Sequence, residues 1–413
     1  MPATTNCRNQ SSFIGIASLM RRVLSGEDIS RLVNIAAYNP DDANMLMGLS
    51  VFFQLTGNRE MGLELQEKAL KLCQLYHLPN TNGPVGIRLL AIMRPGDMMD
   101  NTPLDFLLEG SDVALDLLYV SMDMPFPASL PAHDVLIVAI GQSDQNQPLL
   151  EQVGRFIKTS PRPVLNTPDR IARLSRDGIS SLLKSTPGAE IPVTARIGRQ
   201  GLQQIYRGEK PITALLEDGD FPIIIRPVGS HAGKGLARID SQAALAGYLD
   251  TMPEKEFYVA RFVDYRGPDG LYRKCRIALI DGQPFACHLA ISDNWIIHYE
   301  KAGMQESAAR RSEEAKFMAG FDDGFARRHK ESLRIIGERI GLDYLVIDCG
   351  ETPEGKLLFF EADNLGFVHA MDPVDIFPYK QPQMRKVFSA FHEMLKRAAQ
   401  GQSPPSPPLG QCQ

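Results

Sequence analysis

YLVIDCGETPEGKLLFFEAD, residues 344–363, decides how this chain is read. Two apolar runs, 344–347 and 357–360, flank a stretch carrying Gly, Pro and Thr, the pattern of two strands joined by a tight connection. Asp348 closes the first run; Glu361 and Asp363 close the second. Residues two apart on a strand share a face, so Glu361 and Asp363 point the same way. Three carboxylates gathered at the end of an apolar hairpin repel one another unless a cation neutralises them. A hard divalent ion with oxygen ligands, such as Mg²⁺ beside nucleotide phosphates, is one solution. Surface or salt-bridged acids at strand ends are the other.

A second stretch, FPIIIRPVGSHAGKGL at 221–236, pairs an apolar strand ending in Arg226-Pro227 with a glycine-rich loop. Backbone N–H groups of such a loop can wrap a phosphate, and Arg226 and Lys234 add charge. It is not a Walker A loop: Gly229 and Gly233 stand too close, and Lys234 is followed by Gly235 rather than Ser or Thr. A G-x-G-x-x-G fingerprint after the first strand of the α/β region is absent too, which argues against dinucleotide binding.

Outward from these stretches, the chain divides into four parts. Residues 1–82 read as helical hairpins, with Asp28 capping a helix through Leu32, Val33 and Ala36. Leu46, Leu49, Ser50, Phe53, Gly57, Gly62, Ala69 and Leu70 are spaced as in one tetratricopeptide repeat; small residues let two antiparallel helices approach while large ones fill the groove. A plain helical hairpin is the competing reading, and a lone repeat implies a docked cap. Residues 86–190 alternate short apolar strands with helices, the pattern of a parallel α/β sheet. Residues 191–400 are mixed α+β, with a helix expected from Phe325 to Gly341. Residues 401–413 form a Pro/Ser-rich tail, read as disordered. The fold class is therefore α/β and α+β, multidomain.

The 413 residues carry 44 basic and 49 acidic side chains, a net charge of −5, which suggests no broad nucleic-acid or membrane surface. The apolar runs are too short to span a bilayer, and no secretory signal layout opens the chain. Six scattered cysteines without a CxxC pair read as reduced thiols of a cytoplasmic protein.

Together, in this order, these elements resemble the ATP-grasp superfamily, over roughly residues 86–400. Those enzymes have a strand ending in Lys-Pro, a mobile glycine-rich loop, a nucleotide hinge strand and a metal-binding hairpin with Asp, Glu and Asn. Asp348 to Glu361, and the two-residue step to Asp363, match the spacing of D-alanine–D-alanine ligases. The segment 164–194 looks like the region before the grasp in RimK-type glutamate ligases. The resemblance implies an α/β pre-ATP-grasp domain followed by an ATP-grasp domain. It assigns ATP to Arg226, Gly229, Ser230, His231, Ala232, Gly233 and Lys234, and to the hinge residues Arg261, Phe262, Val263 and Asp264. It assigns metal binding, two Mg²⁺, to Asp348, Glu361 and Asp363. Arg276, with Arg226, would be catalytic, stabilising the transferring phosphoryl group. Asn364, Gly366, His369 and His288 would face substrate. This sequence departs from the pattern at Arg226 for Lys, at Gly178 for the Lys of Arg-Asp-Lys, at Arg261 for the hinge acid, and at Asp363 for Asn.

The implied activity is ATP-dependent joining of a small-molecule or peptide carboxylate to an amine through an acyl phosphate, with release of ADP and phosphate. An ATP-grasp kinase and a non-catalytic nucleotide-binding scaffold are the alternatives. A protein partner at the helical cap and a homodimer are further expectations.

Overall fold

The computed structural model describes residues 11–27, 39, 41–80, 82–230 and 233–402. The helix expected around Asp28, Leu32, Val33 and Ala36 lies outside the described residues, as do His231, Ala232 and most of the tail. Contacts divide the chain into two compact units. One comprises residues 1–171, 342–345 and 363–413; the other comprises 172–341 and 346–362. In the first, the N-terminal helices, the α/β region and the C-terminal helix cluster together, because the last helix supplies an apolar face that the first sheet buries.

In the first unit, helices Ala43–Leu55 and Arg59–Leu72 form a hairpin. Asp42 caps the former by accepting the Met45 N–H at 3.0 Å. The small-residue logic holds at the crossing: a side chain at Gly62 would come within 2.8 Å of the Ser50 carbonyl. The sheet is built from β1 (Leu75–Leu78), β2 (Ile87–Met93), β3 (Val113–Tyr119), β4 (Val135–Val138) and β5 (Val164–Leu165). Its order is β1-β3-β2-β4-β5, parallel except for β1. β1 replaces the last turn of expected helix, since Tyr76 is fully buried in a strand paired to β3. β2 and β4 are buried nearly throughout, as strands covered on both faces must be. The helix Lys380–Ala399 packs on them through Val387, Phe391 and Leu395.

The second unit holds two sheets. The smaller contains β7 (Thr194–Gly198), β8 (Ile223–Pro227), β9 (Ala237–Ile239) and β10 (Glu256–Arg261), ordered β7-β10-β8-β9 and antiparallel. Ile223, Ile225, Phe257 and Val259 bury one face of it against Leu202, Ile205, Leu245 and Leu249 of two helices. The larger contains β6 (Ala189–Glu190), β11 (Tyr272–Ile280), β12 (Gln283–Ser292), β13 (Tyr344–Glu351) and β14 (Leu357–Asp363). Its order is β12-β11-β13-β14-β6, and the unit boundary falls inside β13 and β14. The quoted stretch thus forms neighbouring strands, as its pattern predicts. The helix expected from Phe325 starts instead at Lys330 and ends at Gly341, whose φ of 70° suits a residue without Cβ. A π-helical turn, Asp322–Ala326, takes its place upstream. Among the described residues no helix is long and apolar enough to cross a membrane. Cys275, Cys287 and Cys349 are free and buried, while Cys73 is disulfide-bonded, against the expectation of reduced thiols throughout.

One side chain in the first unit ties strand ends together. Asn166, buried and at φ 51°, accepts the N–H groups of Asp343 and Tyr344 at 3.0 Å each and donates to the Tyr344 carbonyl at 2.8 Å. Asn tolerates the left-handed region better than most residues. Asn166→Ala removes three buried hydrogen bonds and leaves their partners unsatisfied, so chemical denaturation is expected to show a loss of about 3 kcal/mol. An unchanged midpoint would show that the amide does not hold β13 in place.

Candidate functional site

Strand alternation puts Lys274 and Arg276 of β11 on the same face, with Cys275 on the other. Asp348 of β13, only 2% exposed, receives both. Its Oδ1 accepts from Arg276 Nε at 2.8 Å; its Oδ2 accepts from Lys274 Nζ at 2.9 Å and Arg276 Nη2 at 3.1 Å. Burial would raise the Asp348 pKa, but the two cations overcome it and hold the carboxyl well below the usual range. Burial likewise opposes the charged form of Arg276, and Asp348 reverses that, so the guanidinium stays charged. His288 pairs with Arg276 in the β11–β12 register, and its ring lies 4.5 Å from that of Tyr299. This places His288 beside the Asp348 ion pairs.

Glu361 of β14 forms an ion pair with Arg176, the first residue of helix Arg176–Leu183. The Arg176 charge depresses the Glu361 pKa, and burial only partly opposes it. Arg226, at the end of β8, turns back onto its own loop: Nε donates to Ser230 Oγ at 3.0 Å and Nη2 to the Ser230 carbonyl. Ser230 Oγ donates in turn to the Pro227 carbonyl at 2.8 Å. Burial, then repulsion from Arg176, lowers the Arg226 pKa to about 10, which still leaves it charged at neutral pH. Gly229, Gly233 and Gly235 all have positive φ, the property the loop needs from glycine. Gly233 also lies against His298, where an added Cβ would meet Nε2 at 2.7 Å. Burial, then Lys274 and Lys301, lowers the His298 pKa, keeping the ring neutral at pH 7. Lys234 is exposed beside the loop.

The hinge residues take different parts from those expected. Arg261 forms ion pairs with Glu190 and, at 2.8 Å, with Asp218, so it latches the end of β10 to β6. Its guanidinium is thus engaged by two acids. Asp264 pairs with Arg266 at the surface. Phe262 lies under the Arg238 guanidinium, 4.4 Å from its ring centre, and edge-on to Trp295 at 5.5 Å. Val263 follows it, partly buried.

The remaining candidates belong to the other unit. Asp363 Oδ1 accepts the Leu365 N–H at 2.8 Å, closing a turn. Asn364 is fully buried and donates to the Ile140 carbonyl at 3.0 Å. The Gly366 carbonyl accepts from Tyr344 at 3.4 Å, and His369 Nδ1 accepts the Met371 N–H at 3.1 Å. Among the described residues no three His, Cys, Asp or Glu side chains are grouped as a metal site. Each of the three expected ligands, Asp348, Glu361 and Asp363, carries a contact within the protein. Protein cations occupy the oxygens of the first two, and a turn engages the third.

Sequence reading did not place Lys274 and His298 in this cluster; Arg176 was one candidate, with Lys184, for the role of the lysine absent at Gly178. Lys274 carried a usable signal, since it stands two residues before Arg276 on a strand. The pairing of Arg176 with Glu361 carried none, because the two are 185 positions apart. In all, four cations (Arg176, Arg226, Lys274 and Arg276) face two carboxylates, buried Asp348 and partly exposed Glu361, leaving two positive charges in excess. Such a cluster has the charge to receive a polyanion.

No family model matches the chain. Over 167 residues it is 23% identical to tetrahydromethanopterin:alpha-L-glutamate ligase of Methanococcus maripaludis, covering 37% of this chain and 51% of that protein. The chain thus matches about half the length of this curated relative. Among solved structures it is similar to the VanG D-Ala:D-Ser ligase of Enterococcus faecalis, at 12% identity and a TM-score of 0.46, covering 75% of this chain and 99% of that one. It is also similar to a RimK domain ATP-grasp protein of Sphaerobacter thermophilus, at 15% and 0.42, with the same coverage. A third is D-alanyl-alanine synthetase A of Vibrio cholerae, at 12% and 0.47, covering 77% and 98%.

Because the folded pKa of Asp348 is depressed, its ion pairs stabilise the protein above the ordinary carboxylate pKa of about 4 and stop doing so as pH falls through the folded value. Asp348→Asn strands two cations, and urea denaturation at pH 7 is expected to show a loss of roughly 3 kcal/mol. That gap closes in acid. A gap that persists at low pH would contradict the depressed carboxyl.

Proposed function

We propose that the chain is an ATP-dependent carboxylate–amine ligase. The single observation that carries this reading is the excess of cations around Asp348 and Glu361, beside a glycine-rich loop of left-handed conformation. A carboxylate is a poor electrophile because its leaving group would be oxide. Transfer of the γ-phosphoryl group of ATP to it gives an acyl phosphate and ADP. An amine then attacks the acyl carbon, the C–N bond forms, the amine loses a proton, and phosphate departs. Catalysis of both steps rests on positioning and charge neutralisation.

The residues fall into roles on that scheme. Arg226 and the Gly229–Gly235 backbone would receive the phosphates, with Arg226 exchanging its Ser230 contacts for phosphate oxygens. Arg276, oriented by Asp348, would stabilise charge that builds on the acyl phosphate. Lys274 shares that carboxylate and adds a second positive charge at the same point. Asp348 and Glu361 are ionised oxygen donors of the kind a hard divalent ion takes, so they would be the residues to hold Mg²⁺ beside the phosphates. That ion would supply further neutralisation of phosphate charge. Asp264 is the candidate for the ribose and His288 for the substrate. The helical hairpin near the N-terminus would offer a surface for a peptide or protein substrate.

Release of ADP and phosphate is expected to require a carboxylic acid and an amine together, screened as amino-acid and peptide mixtures, and hydroxylamine should trap the acyl phosphate as a hydroxamate. ATP binding without turnover under any mixture would point to a scaffold. Phosphorylated product without amide would point to a kinase. Arg276→Ala is expected to lower kcat by about 100-fold while the KM for ATP moves far less. Steady-state kinetics check this; an unchanged kcat with weakened ATP affinity would remove Arg276 from the chemistry. Glu361→Gln is expected to reduce turnover by about 100-fold or more with the fold retained by circular dichroism.

A further inference from the structure

The larger sheet of the second unit has another face. Cys275 and Glu351 lie on it, since they alternate with Arg276 and Asp348 along β11 and β13. A cleft of about 940 Å³ opens there, and its volume is in the range of small-molecule sites. Its floor is apolar and buried: Tyr265, Cys275, Leu289 and Phe325. Phe317, whose ring centre is 5.6 Å from that of Phe325, forms a wall.

Two features keep this space open. The π-helical turn widens the chain where it passes the cleft, with the Ala326 N–H donating to the Phe321 carbonyl at 2.9 Å. Such turns recur at functional sites. Gly320 and Gly324 line the cleft from this segment. A Cβ at Gly324 would meet only Arg328, at 3.8 Å, so packing does not demand glycine there.

The charges at the rim are unequal. Arg266 is paired with Asp264, Arg273 with Asp269 and Glu313, and Arg328 with Glu351. Lys316 lines the same cleft, is exposed, and has no acidic partner among the described residues.

We propose that this cleft is a second small-molecule site, selective for a planar aromatic anion. The rings of Phe317, Phe325 and Tyr265 would take the flat apolar body, and Lys316 the negative group. The inference does not rest on the ligase reading. A bound molecule would lie one sheet thickness behind Arg276 and Asp348.

Anilinonaphthalene sulfonate, a planar aromatic anion, is the probe, followed by titration calorimetry on the full chain. Saturable binding at one site, unaffected by ATP, is expected. Gly324→Leu fills the cleft at a backbone conformation open to leucine and is expected to abolish binding. Lys316→Glu, an exposed change that leaves the fold alone, is expected to weaken binding by about tenfold or more. Displacement of the probe by ATP would overturn the proposal. So would binding that matches wild type in Lys316→Glu, or in a Gly324→Leu protein with wild-type circular dichroism.

Discussion

The grip of Lys274 and Arg276 on Asp348 organises the second unit. A carboxylate this deeply buried cannot stay ionised without counter-charge, and the two cations supply it from a neighbouring strand. The same contacts fix the orientation of Arg276, which is otherwise a long side chain with many rotamers. The arrangement also explains why Glu361, one strand further on, needs its own cation. Arg176 supplies it from a helix start. The result is a set of positive groups already ordered before any ligand arrives. Preorganised charge of this kind needs little rearrangement when a negative transition state forms.

The same reasoning gives the glycine-rich loop a job. Arg226 is held back by Ser230, and the loop lies against neutral His298 at Gly233. Neither contact is an ion pair. Each can be exchanged for a phosphate contact without breaking a salt bridge, whereas the Arg261 latch to Glu190 and Asp218 holds the hinge end of the smaller sheet by charge.

Much of this was legible in the sequence where local pattern decides. Apolar runs and turn chemistry located β13 and β14, and the close spacing of glycines located the loop. Partner choice was not legible. Arg261 reads as a hinge contact until its acids appear, 71 and 43 positions away. That Lys274, Arg276 and Arg176 stand beside two of the hairpin carboxylates is equally invisible locally. Residues 75–78 read as helix because their long-range partner β3, which makes them a strand, cannot be seen locally. The π-helical turn was hidden for a similar reason, since Phe325 continues an apolar helical period that the backbone does not follow.

The central claim is that this cation cluster receives the phosphates of a nucleotide. Calorimetric titration of ATP against adenosine, in wild type and in Arg226→Met, tests it most directly. The account predicts that wild type binds ATP far more tightly than adenosine, and that Arg226→Met removes most of that difference while leaving adenosine binding unchanged. Equal affinity for the two ligands in wild type, or an ATP preference that survives in Arg226→Met, would contradict it.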